Sequence, residues 1–298
     1  MNSSRWIHVA LAVAIASPVA SAQDRPAVVV AAKHVADNVY MITGQGGNIG
    51  LSIGDDGAFL VDDQFGRLTR QILQVVAELT PEPVRFVVNT HWHGDHTGGN
   101  ENMGKAGAII VAHENVRRAM STEHFLAAFN VTTPVSPEAA LPVVTFTESI
   151  TFHFNGDDIR VQHVAPAHTD GDSLVIFRNA NVIHMGDTYF NGMYPFIDTS
   201  TGGSLAGMIA AADTALALAD DTTLFIPGHG PLSGAAELRA SRAMLQTVHD
   251  RVGKLIEQGS SRDEVIAAAP TRDFDETWGN GFLDPPKWVG IVYDSMIQ

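Results

Sequence analysis

Residues 89–100 read Asn-Thr-His-Trp-His-Gly-Asp-His-Thr-Gly-Gly-Asn, and this stretch constrains the fold more than any other. Three histidines and one aspartate fall within positions 91–96. The preceding run, Val84-Arg85-Phe86-Val87-Val88, has the length and β-branched content of a buried strand. The residues after Gly98-Gly99 are compatible with a helix start. The cluster therefore belongs on a strand-to-helix loop at the carboxyl end of a strand, where open α/β sheets place ligands. His91 and His93 alternate with Trp92, so in an extended segment both rings point the same way. Gly94 permits a tight turn that brings Asp95 and His96 round to a second metal. Neutral imidazole and carboxylate are ligands that suit zinc.

Along the rest of the chain, strand and helix patterns alternate. Residues 28–32, 39–43, 49–53 and 58–61 read as strands. The glycine-rich stretch 44–48 reads as a hairpin turn rather than a phosphate loop, since no Gly-Lys-Ser/Thr follows it. Residues 68–79 have helical spacing and stop before Pro81 and Pro83. A short strand at 108–112 precedes a helix at 114–120, and Phe125, Leu126 and Phe129 extend helical structure towards a proline-bearing loop at 134–142. Residues 150–154 and 159–164 form a hairpin across Asn155-Gly156, a dipeptide that favours positive φ. Strands at 174–177 and 182–185 follow, then an insertion at 191–201, an alanine-rich helix at 203–219 and a strand at 223–226. A long amphipathic helix is expected at 235–258 and a short one at 263–269, with a tail whose Trp278, Phe282, Trp288 and Tyr293 pack back on the domain. The repeated order of strands then helices implies an α/β protein with two sheets back to back and helices outside.

Strand segments end repeatedly in a metal-capable side chain: His91 and His93, then His168, Asp187 and His229. The segments T-H-W-H-G-D-H, P-A-H-T-D-G-D, M-G-D-T and P-G-H-G resemble, in order, the metal motifs of the metallo-β-lactamase superfamily. The resemblance implies a four-layer αββα sandwich with the site on one edge of the sheets. Carried over motif by motif, it assigns His91, His93 and His168 to a first zinc, and Asp95, His96 and His229 to a second. Asp187 would bridge the two. The same ligands accept iron or manganese.

Three neutral imidazoles with an open fourth position make a hydrolytic zinc site. A zinc-bound water has a pKa near ~7, so hydroxide is available at neutral pH. Asp95 is the expected catalytic residue, orienting that hydroxide and returning a proton to the leaving atom. An aspartate at position 187, in a chain without cysteine, resembles glyoxalase II and lactonases of the superfamily rather than its best-known clinical lactamases. Residues 188–203 nonetheless resemble exported β-lactamase-like hydrolases. No lysine follows Asp187 to hold a β-lactam carboxylate, and Asn191 and Tyr194 are candidates for that contact or for ordinary loop packing. Asp62 and Thr169 each stand either as hydrogen-bond partner of a ligand histidine or as a turn or cap residue. His34, His113, His124, His153, His163, His184 and His249 are taken as structural. Loops 44–50 and 189–203 are expected to shape the pocket.

The net charge of −15 over 298 residues argues against nucleic acid as a partner. Arg5, the apolar run 7–16 and Ala20-Ser21-Ala22 form a secretory signal over residues 1–22, leaving 23–298 as a single catalytic domain. The chain is then expected to be periplasmic or secreted, with no stable membrane anchor. The leading expectation is a binuclear zinc hydrolase acting on a small cyclic amide or ester, with β-lactam as the best single substrate. Lactonase, thioesterase and phosphodiesterase are the alternatives within the superfamily, and a periplasmic metal-binding or partner-binding protein is the alternative outside enzymes. Oligomeric state is open.

Overall fold

The computed structural model describes residues 28–297, so the expected signal segment and its Ala20-Ser21-Ala22 site lie outside the described residues. The first half builds a sheet from β1 (Ala31–Ala36), β2 (Val39–Thr43), β3 (Ile49–Gly54) and β4 (Gly57–Val61). Helix α1 (Thr69–Leu79) leads to β5 (Val84–Asn89), and α2 (Gly94–Thr97) and α3 (Asn100–Lys105) lead to β6 (Ile109–His113). Helix α4 (Glu114–Met120), a small hairpin of β7 (His124–Leu126) and β8 (Val131–Thr133), and the strand β9 (Val144–Phe146) follow. The sheet runs β1-β2-β3-β4-β5-β6-β9, antiparallel up to β4 and parallel from β4 onward.

The second half builds β10 (Ser149–Phe154), β11 (Asp157–His163), β12 (Ser173–Phe177) and β13 (Val182–Phe190). Helix α5 (Leu205–Leu218), β14 (Leu224–His229), β15 (Ser233–Gly234) and the long helix α6 (Ala235–Glu257) come next. Helices α7 (Arg262–Ala268), α8 (Asp275–Trp278) and α9 (Pro285–Met296) close the chain. Its sheet runs β10-β11-β12-β13-β14-β15.

Three apolar layers separate four structural ones. Phe59, Val61 and Val88 meet Ile159, Val175, Val182 and Ile226 between the two sheets. Leu60 and Val87, on the opposite face of the first sheet, meet Ile72 and Val76 of α1. Ile183 and Phe225 on the outer face of the second sheet meet α5, α6 and α9 through Met208, Leu245 and Trp288. Both faces of the central strands are buried, which is why β4 reads as an unbroken apolar run instead of alternating. This is the expected αββα sandwich. Among the described residues no helix is long and apolar enough to cross a membrane.

Most expected elements appear within a residue or two, and the hairpin at β10–β11 turns through Asn155 (φ 54°) and Gly156 (φ 74°). Three expectations need correction, and the tail gains an element. The first strand is Ala31–Ala36, later than 28–32, because it pairs with β2 across a turn at Asp37 (φ 46°). Residues 124–133 form the β7–β8 hairpin, with helical structure limited to one 3-10 turn at Ala127–Phe129: Asn130 turns the chain at φ 51° and β-branched Val131-Thr132-Thr133 prefer the extended state. Gly94 is an ordinary first residue of α2 with open space where a Cβ would sit, so no glycine is needed to bring Asp95 round. The tail forms a helix at α9, signalled by Asp284 as N-cap and the prolines at its first positions.

Candidate metal centre

The carboxyl ends of β4, β5, β13 and β14 meet at one edge of the two sheets. Beyond β5 the chain runs extended through His91 and His93, then α2 turns Asp95 and His96 back towards it. β13 does not end before Asp187; it carries on to Phe190 with its register against β14 broken at Gly186. Gly186 sits at φ 50° and lies against Thr90, a conformation and a closeness that a side chain would not tolerate. Gly228 on β14 faces Asp187 so closely that a Cβ would collide with the carboxylate. The two glycines together let Asp187 stand between the strands and point at the histidines.

The ligand-type atoms gather in two sets, each within 4.8 Å of one another: His91, His93, His168 and Asp187, then Asp95, His96 and His229. Asp187 reaches both. Its Oδ2 lies 3.5 Å from His168 Nε2 and 3.4 Å from His229 Nε2, and its Oδ1 lies 3.1 Å from His96 Nε2. In the first set His168 Nε2 and His93 Nδ1 converge to 2.8 Å.

Four of the five rings have their other nitrogen committed elsewhere. His91 Nδ1 pairs with Thr90 Oγ1 (3.0 Å), which donates to Asp62 (2.8 Å). His96 Nδ1 pairs with Asp62 Oδ2 (2.7 Å), His93 Nε2 with Asp198 Oδ2 (3.1 Å), and His168 Nδ1 with the Phe196 carbonyl (2.8 Å). These bonds fix the tautomer and turn the free nitrogen inward, the arrangement that metal-binding imidazoles require. His91 Nε2 is fully buried with no hydrogen-bond partner. An orphaned imidazole nitrogen is costly in a dry site, and a divalent cation satisfies it. The donor set fits zinc.

The electrostatics differ between the sets. Burial, then the neighbouring His96, pushes His91 well below the usual imidazole range, and burial brings His168 down to about 4 against the pull of Asp187. For His96 and His229 burial also pushes down, but carboxylates outweigh it. Asp187, Asp95 and Asp62 raise His96 well above its ordinary value, while Asp187 and Asp95 raise His229 to about 9. Burial pushes Asp187 up, yet His96, His229 and His91 hold it well below the usual carboxylate range. Asp95 falls to about 2 by the same opposition. The centre is thus an array of matched charges in which a cation would replace protons.

The other sequence candidates separate. Asp62 sits at φ 65° at the end of β4 and accepts from the Thr90 N–H (2.7 Å) as well as from His96. Thr169 does not touch a ligand ring. Its hydroxyl donates to buried Asp172 Oδ1 (2.6 Å), since Asp172 already accepts from the backbone of His168 and Thr169 and gathers the whole turn. Burial raises Asp172 to about 7. Tyr194 is no substrate contact: its ring stacks on Trp288 at 4.1 Å and its hydroxyl donates to Asp275 (2.8 Å). Burying such a ring is worth ~2 kcal/mol, so it goes to the core. Asn191 donates to the Pro231 carbonyl (2.9 Å) and does not line the cavity over the centre.

That cavity holds about 380 Å³ and is walled by Phe65, Trp92, Leu126, Phe129, Phe196 and Phe282, with His93, Asp95, Asp187 and His229 at its floor. Loop 44–50 is not part of the wall. It is a strut: Asn48 donates to the carbonyls of Pro227 (2.9 Å) and Gly230 (2.8 Å), tying the His229 segment to the first half. Sequence reasoning missed Asp198 and the aromatic wall. For Asp198 a signal existed, since Asp-Thr-Ser-Thr is an Asx-turn pattern closing the apolar run 194–197, and Asp198 does accept from Ser200 and Thr201. For Phe65, Phe129 and Phe282 no local pattern distinguishes a wall residue from any exposed phenylalanine.

Two stacked sheets with His/Asp clusters on their shared edge define a class, the metal-centred hydrolases. The comparison with family models makes the class specific: the metallo-β-lactamase superfamily model matches residues 42–229, and the chain belongs to that superfamily. Among curated proteins, the 2,4-dinitroanisole O-demethylase subunit alpha of Nocardioides sp. (strain JS1661) is 26% identical over 182 residues, covering 59% of this chain and 50% of that protein. The alkyl/aryl-sulfatase BDS1 of Saccharomyces cerevisiae is 22% identical over 291 residues, covering 82% of this chain and 45% of that protein. The chain thus spans about half the length of these curated relatives. The metallo-β-lactamase from Pontibacter korlensis superposes with a TM-score of 0.61 at 21% identity, over 73% of this chain and 99% of that one. The sec-alkylsulfatase Pisa1 from Pseudomonas sp. superposes with a TM-score of 0.66 at 18% identity, over 89% of this chain and 50% of that one. These structural likenesses show the fold.

Proposed function

We propose that this chain is an exported binuclear zinc hydrolase that opens a cyclic amide or ester in a small molecule with an apolar body. One observation carries the reading: seven side chains from four segments converge as two adjoining sets of ligand atoms, and four of the seven floor an aromatic-walled cavity. When bound, the metal pair supplies an ionised water and positive charge for the scissile group. The chain's own residues do the rest. Asp62, Asp198 and the Phe196 carbonyl hold the imidazoles in one tautomer. Asp95, part-exposed at the cavity floor and held as a carboxylate, is placed to orient a water and relay its proton to the leaving atom. Trp92, Phe129 and Phe282 exclude water and stack against an apolar substrate body.

A β-lactam is the first substrate to assay. No lysine or arginine lines the cavity over the metals to meet a carboxylate set right beside the scissile bond, as it is in a β-lactam, so turnover of a lactone or aryl ester without a carboxylate at that position should equal or exceed it. A sulfate ester is the second reading, supported by the alkyl/aryl-sulfatase relative and by the apolar wall. The test is a panel of nitrocefin, a lactone, an aryl ester, a thioester, an aryl sulfate and bis(p-nitrophenyl) phosphate, with metal content measured alongside. About two zincs per chain and turnover lost with chelator and restored by zinc support the reading. Full zinc loading with no turnover of any member would leave a metal-binding protein instead. Export is tested by the amino terminus of the mature chain, expected at Gln23.

A further inference from the structure

A second cavity of about 290 Å³ adjoins the one over the metal centre, and the two share Leu126 and Phe196 as walls. Asp198, bonded to His93, and Asp294 line it, and beside them stand two cations, Arg262 and Lys287. They are not equivalent. Arg262 is committed to Asp294, 2.9 Å away. Lys287 has no carboxylate within ion-pair distance among the described residues. The residue is half-buried, and its ammonium instead lies 4.7 Å over the ring of Phe129, which itself lines the metal-site cavity. An ammonium in an acidic chain of net charge −15 normally finds a carboxylate close by. Here it is held on an aromatic face at the border of the reaction cavity, whose lining has no lysine or arginine of its own.

We propose that Lys287 is a specificity-determining residue: the second cavity takes the anionic end of the substrate, a carboxylate, while the scissile group lies over the metals. The inference rests on the hydrolase reading and extends it. The substrate is amphiphilic, with an apolar middle that crosses Leu126 and Phe196 and a carboxylate that meets the ammonium. The stem of Lys287 contributes packing against Phe129, and the charge contributes selection.

The test separates this from the hydrolytic reading by using binding as well as turnover. Zinc-loaded protein is titrated calorimetrically with phenylhexanoate and with the neutral phenylhexanamide. The wild type should prefer the carboxylate by about fivefold or more, Lys287→Met should erase that preference, and Lys287→Arg should keep most of it. Whichever panel substrate carries a carboxylate should show the same split, its KM rising in Lys287→Met while kcat and the KM of its methyl ester stay put. A carboxylate preference that survives Lys287→Met would place the anion on the metals and overturn the inference. So would a wild type with no preference. Absence of all turnover with the binding preference intact would sink the hydrolase and leave the subsite standing.

Discussion

The two sets of ligands share Asp187 but are built differently. In the first, the side chains of His91 and His168 are fully enclosed and His93 is 9% exposed, and each ring is held by an outer partner. In the second, only His96 is enclosed, while Asp95 is 28% and His229 21% exposed at the cavity floor. The enclosed set is preorganised before any ion arrives. The open set has ligands that still lose conformational freedom on binding and that water can reach. Preorganisation and exclusion of water both strengthen a site, so on the binuclear reading proposed above the two metals should differ in how tightly they are held and in how they respond to change.

Asp187 is the point where the two sets can be uncoupled, and its removal should have the largest effect. Asp187→Ala is expected to lower activity at least a hundredfold, beyond the ~10–100-fold that loss of an outer hydrogen-bond partner costs. Metal content should fall from about two towards one, with far-ultraviolet circular dichroism unchanged. Two ions retained at full activity would show that Asp187 bridges nothing.

The outer partners sharpen the contrast. The Asp198 carboxylate bonds only the His93 ring among the ligands, whereas Asp62 holds His96 directly and His91 through Thr90. Asp198→Asn should therefore weaken the enclosed site alone, by ~10–100-fold in affinity. Asp62→Asn should weaken both. Zinc titrations that resolve two binding steps distinguish these outcomes, and equal damage by the two variants would erase the asymmetry. In the unmodified protein a graded chelator series should remove one zinc before the other, the first loss coming from the set of Asp95, His96 and His229. Simultaneous loss of both ions would mean that the exposed ligands are no weaker than the enclosed ones.

What could be read from the chain follows a different division. The ligands of both sets announce themselves because each lies in or soon after a strand and carries its own signal: His-x-His-x-Asp-His after a β-branched run, Pro-Ala-His, Met-Gly-Asp, Pro-Gly-His. Local propensity and ligand chemistry point to one answer there. The β7–β8 hairpin was harder, since Phe125, Leu126 and Phe129 fit a helical spacing as well as a flap, and only the left-handed Asn130 settles it. Tyr194 looked like a cavity residue because it sits in the loop after Asp187, yet Trp288, nearly a hundred positions later, draws it into the core. Partners that distant leave no mark on the local pattern. The wall of Phe65, Phe129 and Phe282 is composed in the same way, from three segments with nothing in common but their place in space.

The wall gives the smallest expected effect, and choosing its residue needs care. Phe196 lines the cavity but is 6% exposed and packs against His168 and His93. Truncating it would cost ~3–5 kcal/mol of core packing and disturb the ligands together. Phe282 is 51% exposed, and its ring stands 6.3 Å from those of His229 and Phe129. Phe282→Ala therefore removes apolar surface from the substrate's side of the cavity while leaving the fold and both sets of ligands as they are. If an apolar body packs there, about 1 kcal/mol of contact is lost, a rise of roughly fivefold in KM at constant kcat. Zinc content and thermal midpoint should not move. A fall in zinc content would make Phe282 a prop for His229 rather than a wall. An unchanged KM for every substrate in the panel would mean that the body of the substrate leaves the cavity on the side of Trp92 and Phe65.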